Sequence, residues 1–268
     1  METGSLTDEQ IKKYKEHSQS ISTRSDFKFL SGHRGLRPDN LHLFLGSSGD
    51  GKSTLMRSIL IDVLEWKKRD DKILLHLSEE TPKEFKIELS KTGFKKDSLD
   101  SLHIQTEVGK DKRSILQLKE KILSKEYKYF IYDNITTSEL YEPFRPQEQT
   151  KVAKSLKSCL KEAGCLGLFF AHTNADIGSK STRLVDMTDI RGGKGVVNLA
   201  EFIYIIQRFQ CGKLFFPTLR VVKHRGQEME NMFFALQYNK NKFIYDSDKV
   251  LDWGEFNELY KTRNVLGK

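Results

Sequence analysis

The sequence predicts an α/β fold whose twisted sheet is mostly parallel, flanked by helices, and completed by antiparallel strands at its C-terminal edge. Three observations support this prediction. Short apolar runs alternate with longer stretches of helical periodicity, which is typical of β-α-β units. Several of these runs are continuously apolar, as expected for strands buried on both faces. Toward the C-terminus short runs follow one another across turn residues, which indicates hairpins.

Six apolar runs are the strand candidates of the parallel part: 41–46, 72–78, 102–106, 127–133, 166–172 and 202–208. The helical stretches between them are 53–67, 81–92, 112–125 and 148–163. In the last stretch one face is apolar and consists of Val152, Leu156, Cys159, Leu160 and Ala163. Residues 134–150 hold two prolines and several turn formers, which predicts a loop. The hairpin strands are expected in 216–225, 231–238 and 242–246.

Length and local pattern predict two parts. Residues 26–268 are expected to form one large α/β domain. Residues 1–25 form a separate linker or docking helix, because Thr7 and Gln10 have the spacing of a capping box and the apolar content is too low to bury alone. The N-terminus lacks an apolar signal-peptide core and no run is long enough to span a membrane, so we expect a cytoplasmic protein.

Composition limits the classes of partner. The net charge is +8, which suits a polyanion such as nucleic acid, although a lysine-rich cytoplasmic chain can carry this charge without such a partner. The chain has three cysteines, an odd number without metal-ligand spacing. This argues against a disulfide framework or a zinc site and favours reduced thiols.

The strongest motif is GSSGDGKS, from Gly46 to Ser53, between an apolar run and a helical stretch. In this context the pattern predicts a phosphate loop, because glycines let backbone N–H groups turn toward phosphate oxygens at a helix N-terminus. Lys52 is expected to reach the β- and γ-phosphates, and Ser53 to ligate Mg²⁺. The candidate nucleotide-binding residues are Gly46, Ser47, Ser48, Gly49, Asp50, Gly51, Lys52, Ser53 and Thr54.

Acidic residues close two of the other strand candidates. Asp133 ends the run 127–133, where a second Mg²⁺ ligand is expected, but Asn134 follows it rather than a glutamate. Glu79 and Glu80 instead follow the run 72–78. Either could be the carboxylate that orients the attacking water, and the sequence leaves the choice between them open.

Taken together, these motifs resemble the ATPase domain of the RecA/DnaB superfamily, most of all the hexameric replicative helicases of the DnaB kind and the helicase half of phage primase–helicases. The resemblance covers roughly residues 28–246 and includes LLHLSEET, LFFAHTN, MTDIRGGKGVVNLAEFIYIIQR and LRVVKHRG in the family's order. It implies a RecA-like core, ATP and Mg²⁺ as substrate and cofactor, and Glu79 as the catalytic base.

The resemblance also implies roles for residues in the later motifs. His172 is similar to the γ-phosphate sensor, while Lys223 and Arg225 are similar to the K-x-R that holds a trans-acting arginine finger. Arg225 is therefore expected to lie away from its own Lys52. Further implied residues are Arg208 and Tyr238 around the nucleotide base, and Lys180 and Arg183 as single-stranded DNA contacts in the loop 175–189.

Three functions agree with this pattern. The first is a ring-forming, DNA-translocating ATPase, a stand-alone replicative-type helicase of a phage or mobile element, assembled as a hexamer or helical filament and working with a primase or loader. The second is a recombination or single-strand annealing ATPase. The third is a clock-type regulatory ATPase that needs no DNA loop. Fold analogy alone does not decide among them.

Overall fold

A computed structural model describes residues 27–31, 36, 40–68, 70–94, 96–107, 115–141, 145–174, 183–192, 194–211, 214–225 and 229–262. The strands are β1 Leu41–Gly46, β2 Lys72–Leu77, β3 Leu102–Thr106, β4 Tyr127–Asp133, β5 Leu166–His172, β6 Phe202–Cys211, β7 Leu214–His224, β8 Phe233–Asn239 and β9 Ile244–Leu251. The helices are α1 Lys28–Ser31, α2 Lys52–Trp66, α3 Pro82–Lys91, α4 Ile115–Leu123, α5 Pro146–Ala163, α6 Gly195–Leu199 and α7 Trp253–Thr262. The predicted linker helix in 1–25 and Lys180 lie outside these residues.

Within the described residues the strands form one sheet in the order β3-β2-β4-β5-β1-β6-β7-β8-β9. Neighbours from β3 to β6 pair in parallel, and β6 to β9 pair antiparallel as successive hairpins. The predicted α/β class, the mostly parallel sheet and its antiparallel C-terminal edge are therefore confirmed. Strand β1 lies centrally, between β5 and β6, so the loop that follows it emerges from the middle of the sheet.

Apolar cores cover both faces of the parallel part. Phe44 of β1 belongs to a core that includes α2, whereas its neighbours Leu43 and Leu45 belong to the core under α5. This two-sided burial explains why β1 reads as a continuous apolar run. On α5, Leu156, Cys159, Leu160 and Ala163 are buried as predicted, and Val152 packs at the margin of the same core.

One predicted boundary is wrong. The loop expected over 134–150 contains a 3₁₀ turn at Ile135–Thr137 but ends early, because α5 begins at Pro146 rather than residue 148. Proline suits the first helical turn because its missing N–H has no helical partner there. The Arg145 N–H is meanwhile bonded to Glu148 Oε2 at 3.3 Å, which closes the helix start.

The C-terminal helix α7 was not predicted. Its Phe256 packs against Phe209, Phe233 and Leu251 of the antiparallel strands and covers that part of the sheet. Of the described helices, none is both long and apolar enough to cross a membrane. Cys159 and Cys165 are buried and form no disulfide with each other.

Candidate functional site

The loop from Gly46 to Ser53, here called the glycine loop, joins β1 to α2. Gly49 and Gly51 have φ values of 83° and 97°, in the left-handed region that favours glycine. Gly51 is the N-cap of α2, and a Cβ there would collide with the Tyr245 hydroxyl. A Cβ on Gly46 would lie 2.7 Å from Ile206 Cγ2. The loop therefore requires glycine for both conformation and space. It ends at the N-terminus of α2, where backbone N–H groups can bind an anion.

Polar side chains fix the shape of the glycine loop. Asp50 Oδ2 accepts a hydrogen bond from the Ser47 N–H at 3.0 Å, and Ser47 Oγ lies 2.7 Å from Thr173 Oγ1 after β5. Burial raises the pKa of Asp50, while its hydrogen bond from Ser47 opposes this shift. Lys52 Nζ donates to the Ser47 carbonyl at 2.9 Å, so the lysine side chain folds back over the loop that precedes it.

Three other candidate residues meet at the same sheet edge. Strands β2, β4, β5 and β1 are adjacent and parallel, so their carboxyl ends lie side by side. Glu79 follows β2, Asp133 ends β4 and His172 ends β5. The side chains of these three residues therefore lie around Lys52, at the start of α2.

A chain of contacts links Lys52 to Glu79. Lys52 Nζ lies 2.9 Å from His172 Nδ1, and His172 Nε2 lies 3.1 Å from Glu79 Oε1. Because an ammonium group only donates, Nδ1 is the acceptor, and the imidazole hydrogen lies on Nε2 and is donated to Glu79. Burial lowers the pKa of Lys52, and the carboxylates around it, Asp133 first among them, oppose that shift.

The two glutamates have different surroundings. Glu80 Oε1 pairs with Arg57 Nη1 of α2 at 3.2 Å, which directs this carboxylate toward the helix. Glu79 contacts His172, and the resulting hydrogen bond is the largest cause that lowers the pKa of Glu79 to about 2. Thus Glu79, and not Glu80, lies beside His172 in the cluster around Lys52.

Asp133 and Ser53 form the expected metal-ligand pair. The Ser53 hydroxyl donates to the Asp133 carboxylate, and burial raises the pKa of Asp133 from 3.8 to about 6, with Lys52 opposing the shift. No group of three or more histidine, cysteine or acidic side chains suited to a metal occurs in the described part of the chain. A hydroxyl and one carboxylate nonetheless fit Mg²⁺, which commonly keeps waters and phosphate oxygens as its other ligands.

Arg208 lies beside the glycine loop, and Tyr238 lies one residue contact away from it, against Tyr245. The Arg208 guanidinium stacks over the Phe215 ring at 4.5 Å and lies 3.9 Å from a Cβ built on Gly49. Tyr238 is half exposed, and its ring packs edge-on against Tyr245 at 5.8 Å. Arg208 therefore lies next to the loop itself, whereas Tyr238 is connected to it through Tyr245, whose hydroxyl faces Gly51.

Lys223 and Arg225 lie at the other end of the strands, beside the N-terminal ends of β1 and β6. His224 between them pairs with Phe202, which pairs with His42 near the start of β1. The glycine loop begins four residues further along β1, about 13 Å away. Arg225 therefore lies far from its own Lys52, as expected.

Both basic side chains have neighbours at that end. Lys223 Nζ donates to the Ala200 carbonyl at 2.6 Å. Arg225 is 69% exposed and reaches to 3.9 Å from Glu201 Oε1. Its guanidinium is therefore accessible to another molecule.

Of the two candidate DNA contacts, only Arg183 lies in the described residues. Its guanidinium makes two hydrogen bonds to Asp189, at 2.9 and 2.7 Å, and its side chain remains half exposed. Beyond it, the Thr173–Ile190 bridge and the bond from Arg191 N–H to the His172 carbonyl close the base of this loop directly behind His172.

Sequence reasoning missed the residues that hold the cluster together. Asn134, noted in the sequence only because it is not a glutamate, donates to Glu79 Oε1 at 3.0 Å. Thr136 accepts the His172 N–H at 2.8 Å, and Tyr245 packs against Gly51. No local pattern identifies them, because each contact joins segments that meet only when the sheet has formed.

The assembled site combines N–H groups at a helix N-terminus, one buried ammonium group, a hydroxyl–carboxylate pair and a carboxylate bonded to an imidazole. This set can bind a polyphosphate with a divalent cation and orient a water molecule beside it. The chain matches no protein-family model, and no curated protein matches it.

Proposed function

We propose that this chain is a Mg²⁺-dependent ATP hydrolase with a RecA-like phosphate-loop core. The observation that carries the proposal is the position of Lys52, which lies inside the glycine loop among the ends of three neighbouring strands. Those strands supply His172, which contacts Lys52, and Glu79, which is hydrogen-bonded to His172. They also supply Asp133, whose charge acts on Lys52. A phosphate clamp, a metal ligand, a base and a sensor are thus adjacent.

Nucleotide binding would use polar groups that, without a ligand, are hydrogen-bonded to one another. The N–H groups of the glycine loop and Lys52 bind the β- and γ-phosphates, and Lys52 exchanges the Ser47 carbonyl for phosphate oxygens. Arg208 and Tyr238 stack on the base. Ser53 and Asp133 would hold Mg²⁺, which neutralises phosphate charge when bound.

Hydrolysis uses the residues at the ends of β2 and β5. Glu79 orients the attacking water and accepts its proton as the general base. His172 contacts both Lys52 and Glu79, so it senses whether a γ-phosphate lies between them. Its backbone leads into the loop that carries Lys180 and Arg183.

We further propose that the enzyme is a ring-forming, DNA-translocating motor, a stand-alone replicative-type helicase. Arg225 is exposed at the end of the strands remote from the glycine loop, so it can complete a site only in a neighbouring subunit. Such a head-to-tail contact closes into a ring or continues as a filament. The net charge of +8 suits a nucleic-acid partner.

The decisive measurement is the rate of ATP hydrolysis with and without single-stranded DNA. Lys52→Ala should abolish turnover, because it removes the phosphate clamp. Lys249→Ala, which removes an exposed lysine paired with Glu255, is the matched control and should keep the wild-type rate. Hydrolysis that survives Lys52→Ala would refute the proposal.

DNA binding is tested by neutralising Lys180 and Arg183 to glutamine, separately and together. The double variant should lose DNA-stimulated hydrolysis and salt-dependent DNA affinity while its basal hydrolysis survives. The single variants separate a lost DNA contact from the lost Arg183–Asp189 pair. ATP hydrolysis indifferent to DNA would favour the regulatory ATPase, and stimulation without strand unwinding would favour the annealing protein.

A further inference from the structure

Two donors occupy one oxygen of the proposed base. Glu79 Oε1 accepts from Asn134 Nδ2 at 3.0 Å and from His172 Nε2 at 3.1 Å. The carboxylate is thereby held against the imidazole, although its side chain is half exposed.

The Asn134 side chain can take only one orientation. Its Oδ1 accepts from Thr136 Oγ1 at 2.9 Å, and from the N–H and Oγ1 of Thr137 at 3.0 Å each. Asn134 is 1% exposed, and rotating its amide by 180° would direct the NH₂ group at these donors. The NH₂ group is therefore fixed toward Glu79.

Thr136 closes these contacts into a ring. Its Oγ1 accepts the His172 backbone N–H at 2.8 Å and donates to Asn134 Oδ1. The ring runs from His172 through Thr136, Asn134 and Glu79 back to the His172 imidazole. Lys52 lies outside the ring and bonds to His172 Nδ1, so a ligand that attracts Lys52 also removes a contact of the ring.

We propose that Asn134 is a positioning residue that holds Glu79 in a resting orientation against His172 until bound nucleotide draws Lys52 and His172 away. This inference rests on the proposed function. A carboxylate that accepts hydrogen bonds is a weak base. This agrees with the lowered pKa of Glu79, for which the bond from His172 is the largest cause and those from Thr137 and Asn134 are smaller ones. Hydrolysis is thereby restrained while the γ-phosphate position is empty.

The test is Asn134→Asp, which keeps the acceptor for Thr136 and Thr137 but loses the donor to Glu79. Asn257→Asp on α7 is the matched control, with the same chemical change remote from the site. DNA-independent hydrolysis should rise about three- to tenfold in Asn134→Asp, a fraction of one charge-assisted hydrogen bond. It should not change in the control.

A second variant and a measurement on the wild-type chain accompany this test. Thr136→Val removes the link between His172 and Asn134 and should raise the basal rate in the same direction if Asn134→Asp does not fold. In the wild-type protein, imidazole ¹⁵N NMR should show His172 as the Nε2–H tautomer, and its signals should shift when a non-hydrolysable ATP analogue binds.

The outcomes separate the two proposals. A folded Asn134→Asp with an unchanged or slower rate would overturn the restraint alone, as would His172 signals unaffected by the bound analogue. A wild-type protein that hydrolyses no nucleoside triphosphate would overturn both.

Discussion

Gly51→Ala tests the glycine loop without relying on any function. Its φ of 97° costs a residue with a Cβ about 1–2 kcal/mol. The new methyl group would also collide with the Tyr245 hydroxyl, whereas the next atoms, Tyr245 Cζ at 3.4 Å and Ile206 Cδ1 at 3.7 Å, are at ordinary contact distance. Overpacking of this kind costs about 1–3 kcal/mol, so the free energy of unfolding should fall by about 2–5 kcal/mol.

The two parts of this cost can be separated. Tyr245→Phe removes the colliding oxygen and leaves the ring, so in that background Gly51→Ala should cost only the backbone part, about 1–2 kcal/mol. Urea unfolding of both single variants and the double variant gives the coupling energy, which should be about 1–3 kcal/mol. An equal cost of Gly51→Ala in both backgrounds would show that Tyr245 does not constrain the loop.

Three further predictions concern the proposed chemistry. Glu79→Gln should still bind ATP but hydrolyse it at least about a hundredfold more slowly; an inactive Glu80→Gln beside an active Glu79→Gln would reverse the assignment. Because burial raises the pKa of Asp133 to about 6, the folded state retains a proton that the unfolded chain releases, so stability falls as the pH rises from about 4 to 6. The free energy of unfolding of Asp133→Asn, measured relative to wild type in urea, should therefore rise by up to about 3 kcal/mol between pH 4 and pH 7. A difference that does not change with pH would contradict the raised pKa. Arg225→Ala and Lys52→Ala should each be inactive alone, yet mixed subunits should recover activity at hybrid interfaces; co-assembly without recovery would exclude Arg225 as a trans-acting residue.

The parallel strands could be predicted from sequence because their burial is two-sided. The runs at 41–46 and 166–172 are apolar except for His42 and His172, and β1 and β5 occupy these positions. The end of the loop near Pro146 was predicted wrongly because both prolines were interpreted as turn formers, whereas Pro146 begins α5. Helix α7 was missed because its apolar residues face only a small core formed by the hairpin strands.

The candidate site divides in the same way. The glycine loop is contiguous, so its residues could be proposed from spacing alone. The place after a strand suggested the pair Glu79 and Glu80, and only the family resemblance singled out Glu79 and His172. Asn134 and Tyr245 could not be found in this manner. Asn134 reaches Glu79 because β2 and β4 pair in parallel register, and Tyr245 reaches Gly51 because β9 ends the hairpin series near α2.

The central position of β1 has a consequence for the order of folding. Strands β6 to β9 pair with sequence neighbours, but β1 pairs with partners so distant that Ser47 and Thr173 are 126 residues apart and His42 and Tyr204 are 162 apart. Closing long chain segments costs entropy before the contacts form. We therefore expect the antiparallel strands β6 to β9 to form first and β1 to insert late between β5 and β6. Pulsed hydrogen exchange should then protect amides of β7 and β8 before those of β1, and simultaneous protection would contradict this order. The glycine loop follows β1 directly, so it should take its shape only after β1 has paired with both neighbours, and the proposed nucleotide could stabilise the chain only after that step.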